Sequence, residues 1–207
     1  PETRTPLRQD GEELISEHGT HYPVIDGIPR LLVPTRNPKE EKLRQRMQEF
    51  YERFTFPGYD GIDNPAVLID KARASGFGLW VDQAVAPFAT VLEVGCGTGQ
   101  MTNYLGLVSS RTVIGTDMSV ASLSLGKRFR DQHGLKNVHF VQGNIFAMPI
   151  REASADVLIC SGVLHHTPDP RGGFQQLLKL VKPKGKILIG LYNTFARIPL
   201  GLRKMLF

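Results

Sequence analysis

Two patterns of apolar spacing divide the chain near Pro87. Beyond it, short runs rich in apolar and β-branched residues alternate with stretches whose apolar positions recur every three or four residues. The runs TVLEV (90–94), TVIGT (112–116), NVHFVQ (137–142), ADVLIC (155–160) and GKILIGLY (185–192) predict strands. Helices are expected near 98–108, 119–133 and 171–182, where Leu177, Leu178, Leu180 and Val181 should pack on the sheet. Near-continuous apolar strands separated by helices predict a mostly parallel sheet covered on both faces, joined by right-handed crossovers.

Before Pro87 the pattern is helical and, earlier still, turn-rich. Leu43, Met47, Phe50, Tyr51 and Phe54 predict an amphipathic helix over 39–54. Asp63 or Asn64 caps a second helical region, with Pro65 at its first position, running to about Ala86 with interruptions near Gly76 and Gly78. In the first 38 residues, YPVI and IPRLLV predict a hairpin around Asp26-Gly27. The expected organisation is a turn-rich segment 1–38, a helical segment 39–86 forming a lid on the acceptor side, and an α/β domain 87–207.

Composition narrows the class. With 207 residues, 41% apolar and 22% charged, the chain suits one well-buried domain with a flanking segment. No apolar run approaches the roughly 20 residues of a membrane-spanning helix, and PETRTPLRQDGEEL offers no signal-like stretch. A net charge of +5, gathered in 30–53 and 197–204, keeps nucleic acid as a candidate partner. Two cysteines, Cys96 and Cys160, without a CxxC pair, exclude a disulfide framework and a cysteine-built zinc site; they fit a reducing cytoplasm. No His/Asp/Glu grouping has metal-ligand spacing, so no metal is expected.

The densest chemistry lies in VLEVGCGTGQ, 91–100. A strand turns through Gly95-Cys96-Gly97-Thr98-Gly99 into a helix, whose free N–H groups suit a carboxylate or phosphate. By itself this is either a tight connection or a ligand cradle. Asp117, 22 positions beyond Gly95, ends the next strand, where a carboxylate accepts two hydrogen bonds from a ribose diol. It is also placed, with Ser119, to cap the following helix. The dinucleotide fingerprint G-x-G-x-x-G is not met, because the last glycine arrives one position early.

Glu93 followed by this G-C-G-T-G loop, Asp117, VQGNIFAMPI, ADVLICSGVLHHTPDP and KLVKPKGKILIGLYN resembles the Rossmann-like class I methyltransferases that use S-adenosylmethionine (SAM). The resemblance runs from Thr90 to Asn193 and is nearest the ubiquinone/menaquinone biosynthesis group. It implies that Gly95, Cys96, Gly97, Thr98 and Gly99 receive the methionine part of SAM, with Glu93 orienting its ammonium. Asp117 would bind ribose, Met118 would pack on adenine, and Asn144 and Ile145 would border the adenine edge. Asn144 stands where the family usually has Asp. Ser161 and Gly162 would line the methionine side, and S-adenosylhomocysteine (SAH) would be the product. Lys184 replaces a glycine of the family's turn into the fifth strand.

Two departures follow from the same likeness. The family sheet continues through a sixth and seventh strand, whereas this chain reaches Phe207 soon after the fifth; that edge is unpaired, covered by RIPLGLRKMLF or, as the leading expectation, completed by residues beyond it. HYPVIDGIPRLLVP resembles the end of a zinc ribbon without its cysteines. Where the acceptor must lose a proton, His165 and His166 are the candidate bases, with one of the two facing the pocket. Phe54, Phe56, Tyr59, Phe77 and Trp80 are divided between a lid and the core. Cys160 lacks the Pro-Cys context of a nucleophile, and CSGV replaces the motif of base-amino methyltransferases. The leading expectation is methyl transfer to a small molecule; an RNA or protein acceptor, and a SAM-binding domain without turnover, are the alternatives. The oligomeric state is open.

Overall fold

A computed structural model describes residues 5–33 and 38–191. Five strands form one parallel sheet: β5 (Thr90–Val94), β6 (Thr112–Asp117), β7 (Val138–Gln142), β8 (Ala155–Ser161) and β9 (Val181–Gly190). Their order is β7-β6-β5-β8-β9, with α4 (Gln100–Gly106), α5 (Val120–Gln132) and α6 (Pro170–Leu180) in the connections. This is the Rossmann-like doubly wound sheet that the alternating pattern predicts. After β5 the chain steps outward through β6 and β7, then returns to place β8 on the other side of β5. Strand order therefore reverses between β5 and β8, the point where such sheets open a crevice at their carboxyl ends.

Alternation along the strands separates two cores. Val91 and Ile159 face a cluster with Leu105, Leu123, Phe129 and Phe140, whereas Leu92 and Leu158 face one with Leu164, Leu177 and Leu180. Leu177 and Leu180 are wholly buried as the pattern requires, but Leu178 is 46% exposed, one helical step off the packed stripe. The last strand begins at Val181, earlier than its apolar run suggests, and takes in the Lys-Pro-Lys-Gly turn residues. Lys184 there adopts φ +66°, a left-handed conformation that favours glycine, so the lysine occupies a glycine-type position.

The front of the chain forms a four-stranded antiparallel meander: β1 (Arg8–Asp10), β2 (Glu13–Ile15), β3 (His21–Ile25) and β4 (Ile28–Pro29). Ile25 pairs with Ile28 across Asp26 and Gly27, both at positive φ as a two-residue hairpin turn requires. A second hairpin, Asp10 against Glu13, was not expected, although its Asp-Gly start is a turn signal. The meander is tied to the large sheet: Ile28 and Leu31 are buried, and the Leu31 amide donates to the Gln142 carbonyl at 3.1 Å. The β7 edge is thereby covered. The segment RIPLGLRKMLF, expected at the opposite edge, lies outside the described residues.

Between meander and sheet lie α1 (Pro38–Arg53), α2 (Pro65–Ala74) and α3 (Phe77–Ala84). Asn64 is the cap of α2, its Oδ1 accepting from the Val67 amide at 3.1 Å, with Pro65 following. Gly76, at φ +65°, makes the break before α3. The α1 stripe is split: Phe50 and Phe54 stack on each other at 5.2 Å and stay more than half exposed, so they do not join a core face. Among the described residues no helix is long and apolar enough to cross a membrane.

Candidate functional site

A cavity of about 470 Å³ opens at the strand reversal, above the carboxyl ends of β5, β6 and β8. Glu93, Gly95, Cys96, Gly97, Asp117, Met118, Asn144, Ile145, Ser161, Gly162 and His166 all line it. Sequence reasoning therefore placed most of its floor. Thr98, Gly99 and His165 do not line it.

The glycine loop owes its composition to packing as much as to a ligand. Gly95 and Gly97 adopt φ +70° and +54°, where a side chain is strained. A Cβ on Gly95 would lie 2.1 Å from Val163 Cγ2, and one on Gly97 would lie 2.3 Å from the Phe56 carbonyl oxygen. Gly99 is pressed on the Phe140 ring instead. Thr98 is wholly buried and its hydroxyl donates to the Pro57 carbonyl at 2.5 Å. Gln100 Nε2 donates to the Gly58 carbonyl at 2.6 Å. Those two residues thus strap the 56–58 segment across the loop, a role their position in the motif does not reveal.

Asp117 joins the first two strands at this point. Its Oδ2 accepts from the Gly97 amide at 2.8 Å and its Oδ1 from the Ser119 amide at 2.9 Å. Each oxygen keeps a lone pair for a further donor, so helix capping and diol binding are compatible. Burial pushes this carboxyl up, and the amide donors pull it partly back. Glu93 is pushed up to about 7, chiefly by burial, against a Thr102 hydroxyl that donates to it. A carboxylate held in so dry a position favours a cationic partner, as an ammonium group would be. Cys96 is buried in the same floor and its thiol is pushed up by burial and both acids.

Asn144 divides its functions. Its Oδ1 accepts from the Phe146 amide at 3.1 Å, closing a turn. That oxygen keeps one lone pair, and the amide's two donors add to it, so the side chain can both accept from and donate to an adenine edge. Ile145, Phe146 and Met148 supply apolar wall around it. The fit of a SAM-shaped group rests on two carboxylates, one for an ammonium and one for a diol, beside an apolar slot.

The 3₁₀ turn Leu164–His166 after β8 decides between the two histidines. Their rings lie 4.1 Å apart, with His166 on the cavity and His165 turned off it. Cys160 is wholly buried on the α6 side, and desolvation holds its thiol at about 12, which leaves no thiolate for attack.

The roof comes from helix residues that the sequence marks only as parts of the 39–86 segment. Arg44, Met47 and Tyr51 of α1, and Leu68, Lys71 and Ala72 of α2 with Ser75 at its C-cap, line the cavity at helical spacing. Of the five front aromatics, Phe56 lines the cavity, whereas Tyr59 packs on Phe129 and accepts from Asn103 Nδ2 at 2.8 Å. Phe54, Phe77 and Trp80 lie exposed outside it. α1 is fastened by Glu52, whose two oxygens accept from the Val120 and Ala121 amides at 2.7 and 2.9 Å, at the N-terminus of α5. Among the described residues no cluster of His, Cys, Asp and Glu is arranged to hold a metal.

Comparison with known proteins identifies the family. Residues 87–205, more than half of the chain, match the family described as a methyltransferase domain. The demethylmenaquinone methyltransferase of Lactococcus lactis is 33% identical over 101 residues, 48% of this chain and 40% of that protein. A ubiquinone biosynthesis O-methyltransferase of Acinetobacter baumannii is 29% identical over 55% of this chain and 49% of its own. The chain thus spans about half the length of these curated relatives or less. Among solved structures, the cyclase SpnF superposes with a TM-score of 0.58 at 16% identity, over 76% of this chain and 61% of that one, which shows a shared fold. With the glycine loop, the acid at the end of β6 and the matched domain in register, the chain belongs to the methyltransferase-domain family, in the Rossmann-like class that uses SAM.

Proposed function

We propose that this protein transfers a methyl group from SAM to a small-molecule acceptor. The observation that carries the reading is the continuity of one cavity from Glu93 and Asp117, through the Gly95–Gly97 turn, to the largely apolar roof of α1 and α2. The curated relatives bearing quinone-pathway methyltransferase names support a small acceptor. When bound, SAM supplies an electrophilic methyl carried by a sulfonium.

The chain's own part is positioning and exclusion of water. Glu93 holds an ammonium at the floor, Asp117 holds the ribose diol, and the Gly95–Gly97 backbone fixes the span between them. The 56–58 strap closes over that span through Thr98 and Gln100. His166, at the rim beyond Ser161 and Gly162, is the group placed to take a proton from an acceptor hydroxyl or activated carbon. The turn that presents it is closed by the His166 amide on the Val163 carbonyl and by Thr167 on the Leu164 carbonyl. A cytoplasmic location is part of the same reading, supported by two buried free thiols at Cys96 and Cys160.

The test uses methyl-labelled SAM with the purified chain and an extract separated into small-molecule, RNA and protein fractions. Label entering the small-molecule fraction is expected. Label in RNA or protein would replace the acceptor class, and SAM binding without transfer to any fraction would leave a binding domain without turnover.

A further inference from the structure

The roof carries charge that the methyl-donor site does not use. One face of α2 presents Leu68, Lys71 and Ala72 to the cavity, with Ser75 at its C-cap, Lys71 and Ala72 lying three and four residues from Leu68. α1 presents Arg44 and Met47 to the same cavity, which Phe56 also lines. Two cations therefore stand in a mostly apolar space, one on each helix, and they differ in their partners.

Arg44 is already committed. Its Nε and Nη2 donate to the two oxygens of Glu41 at 3.0 and 2.5 Å, and its Nη1 donates to Gln48 at 2.7 Å. Its charge is neutralised within α1 and its fork is filled. Lys71 has no ion-pair partner among the described residues and stands exposed at the cavity rim. Neither Glu93 nor Asp117 forms an ion pair with Lys71: the side-chain and amide donors on them are Thr102, Gly97 and Ser119. An ammonium left open beside Leu68 and Ala72 gains most from an anion that displaces its water while an apolar body covers the helix face.

We propose that Lys71 is the carboxylate-binding residue of the cavity, and that the ligand group it holds belongs to an apolar acceptor seated between α1 and α2. This rests on the methyltransferase reading for its second ligand. A carboxylate could be supplied by the acceptor or by the methionine end of SAM; both present the same chemistry to an ammonium. Lysine acts here as a point charge on a flexible stem, so arginine at the same position should retain much of the effect and methionine should keep the packing while removing it.

The experiment compares the full chain with Lys71→Met and Lys71→Arg by calorimetry, using four probes. SAH and 5′-methylthioadenosine differ by the amino-acid end; decanoate and 1-decanol, added at saturating SAH, differ by the carboxylate. A tenfold or greater loss of decanoate affinity in Lys71→Met, with 1-decanol and SAH unchanged and Lys71→Arg near the parent, is the expected result. A tenfold loss for SAH with methylthioadenosine unchanged would assign the carboxylate to the methyl donor and overturn the acceptor proposal. Equal affinities of parent and Lys71→Met for decanoate and SAH would overturn the proposal. Failure of the parent chain to bind SAH would instead reject the methyl-donor reading, while decanoate tested alone still reports on Lys71.

Discussion

The floor of the cavity is made from strand ends and backbone amides; its roof is made from side chains on one face each of two helices. At the floor, Asp117 is fixed by two amides, Gly97 and Ser119, and the glycines by left-handed φ and close neighbours. At the roof, Glu52 on the α5 N-terminus, the Ser119 hydroxyl on the Tyr51 carbonyl, Asn103 on the Tyr59 hydroxyl and the 56–58 strap tie α1 and its sequel to the sheet. A floor of that kind tolerates little change, and it serves a ligand portion that is the same for every acceptor. A roof of helix faces can be rewritten one side chain at a time, which is how a shared fold hosts different chemistries. The cyclase SpnF, sharing this fold at 16% identity, illustrates the point.

Substitutions separate the two halves. The largest effect is expected at the junction: His166→Ala should lower the methyl-transfer rate about 10²–10⁴-fold. SAH affinity should stay unchanged, and His165→Ala should cost less; equal losses in both would remove His166 from proton transfer. Next, Gly95→Ala places a Cβ 2.1 Å from Val163 Cγ2 at φ +70°. Denaturant unfolding should show a loss of about 2–5 kcal/mol, and a stability equal to the parent would mean that the loop is not rigid.

Asp117→Ala should weaken SAH by about 1–3 kcal/mol, roughly 5–150-fold, through lost ribose bonds. Asp117→Asn should lose less, because one carboxamide oxygen still accepts an amide. Unchanged affinity in the alanine variant would refute the assignment.

The pH dependence follows from Glu93, whose carboxyl is pushed up to about 7. To hold an ammonium it must be ionised, so SAH affinity should be level above about pH 7 and fall by up to about tenfold per unit below it. Glu93→Gln should flatten that profile. In the ligand-free protein the same carboxyl binds its proton more tightly than in the unfolded chain. It therefore opposes folding increasingly from about pH 4.5 to about 7 and imposes no cost below that window. Glu93→Gln should accordingly raise Tm relative to the parent at pH 8 and leave it alike at pH 4. The smallest effect is expected at the roof hinge, where Glu52→Gln should weaken the α1–α5 contact by about 0.3–1 kcal/mol, read as faster amide exchange in α1.

The same contrast explains what the sequence disclosed. Strand runs announce themselves because both faces of each strand are buried, as with Val91 and Leu92 pointing to separate cores. Asn64 and Pro65, or Asp26 and Gly27, are legible because a cap or a two-residue turn demands those residue types locally. Leu68, Lys71, Ala72 and Ser75 carry no such demand: their spacing fits any helix, and only the docking of α2 on α4 aims them at the cavity. Thr98 and Gly99 show the opposite limit, since membership in a ligand-binding motif did not bring either onto the cavity surface. Leu178 and Phe50 were read as packed by periodicity alone and stand exposed, because the stripe that a helix buries is narrower than its run of apolar residues.

The central claim is that the floor between Glu93 and Asp117 binds the methyl donor. Calorimetric titration of the purified chain with SAM and with SAH tests it most directly. Saturable micromolar binding of both at pH 8 is expected, weakened in Asp117→Ala; no binding of either by a chain shown to be folded would contradict it.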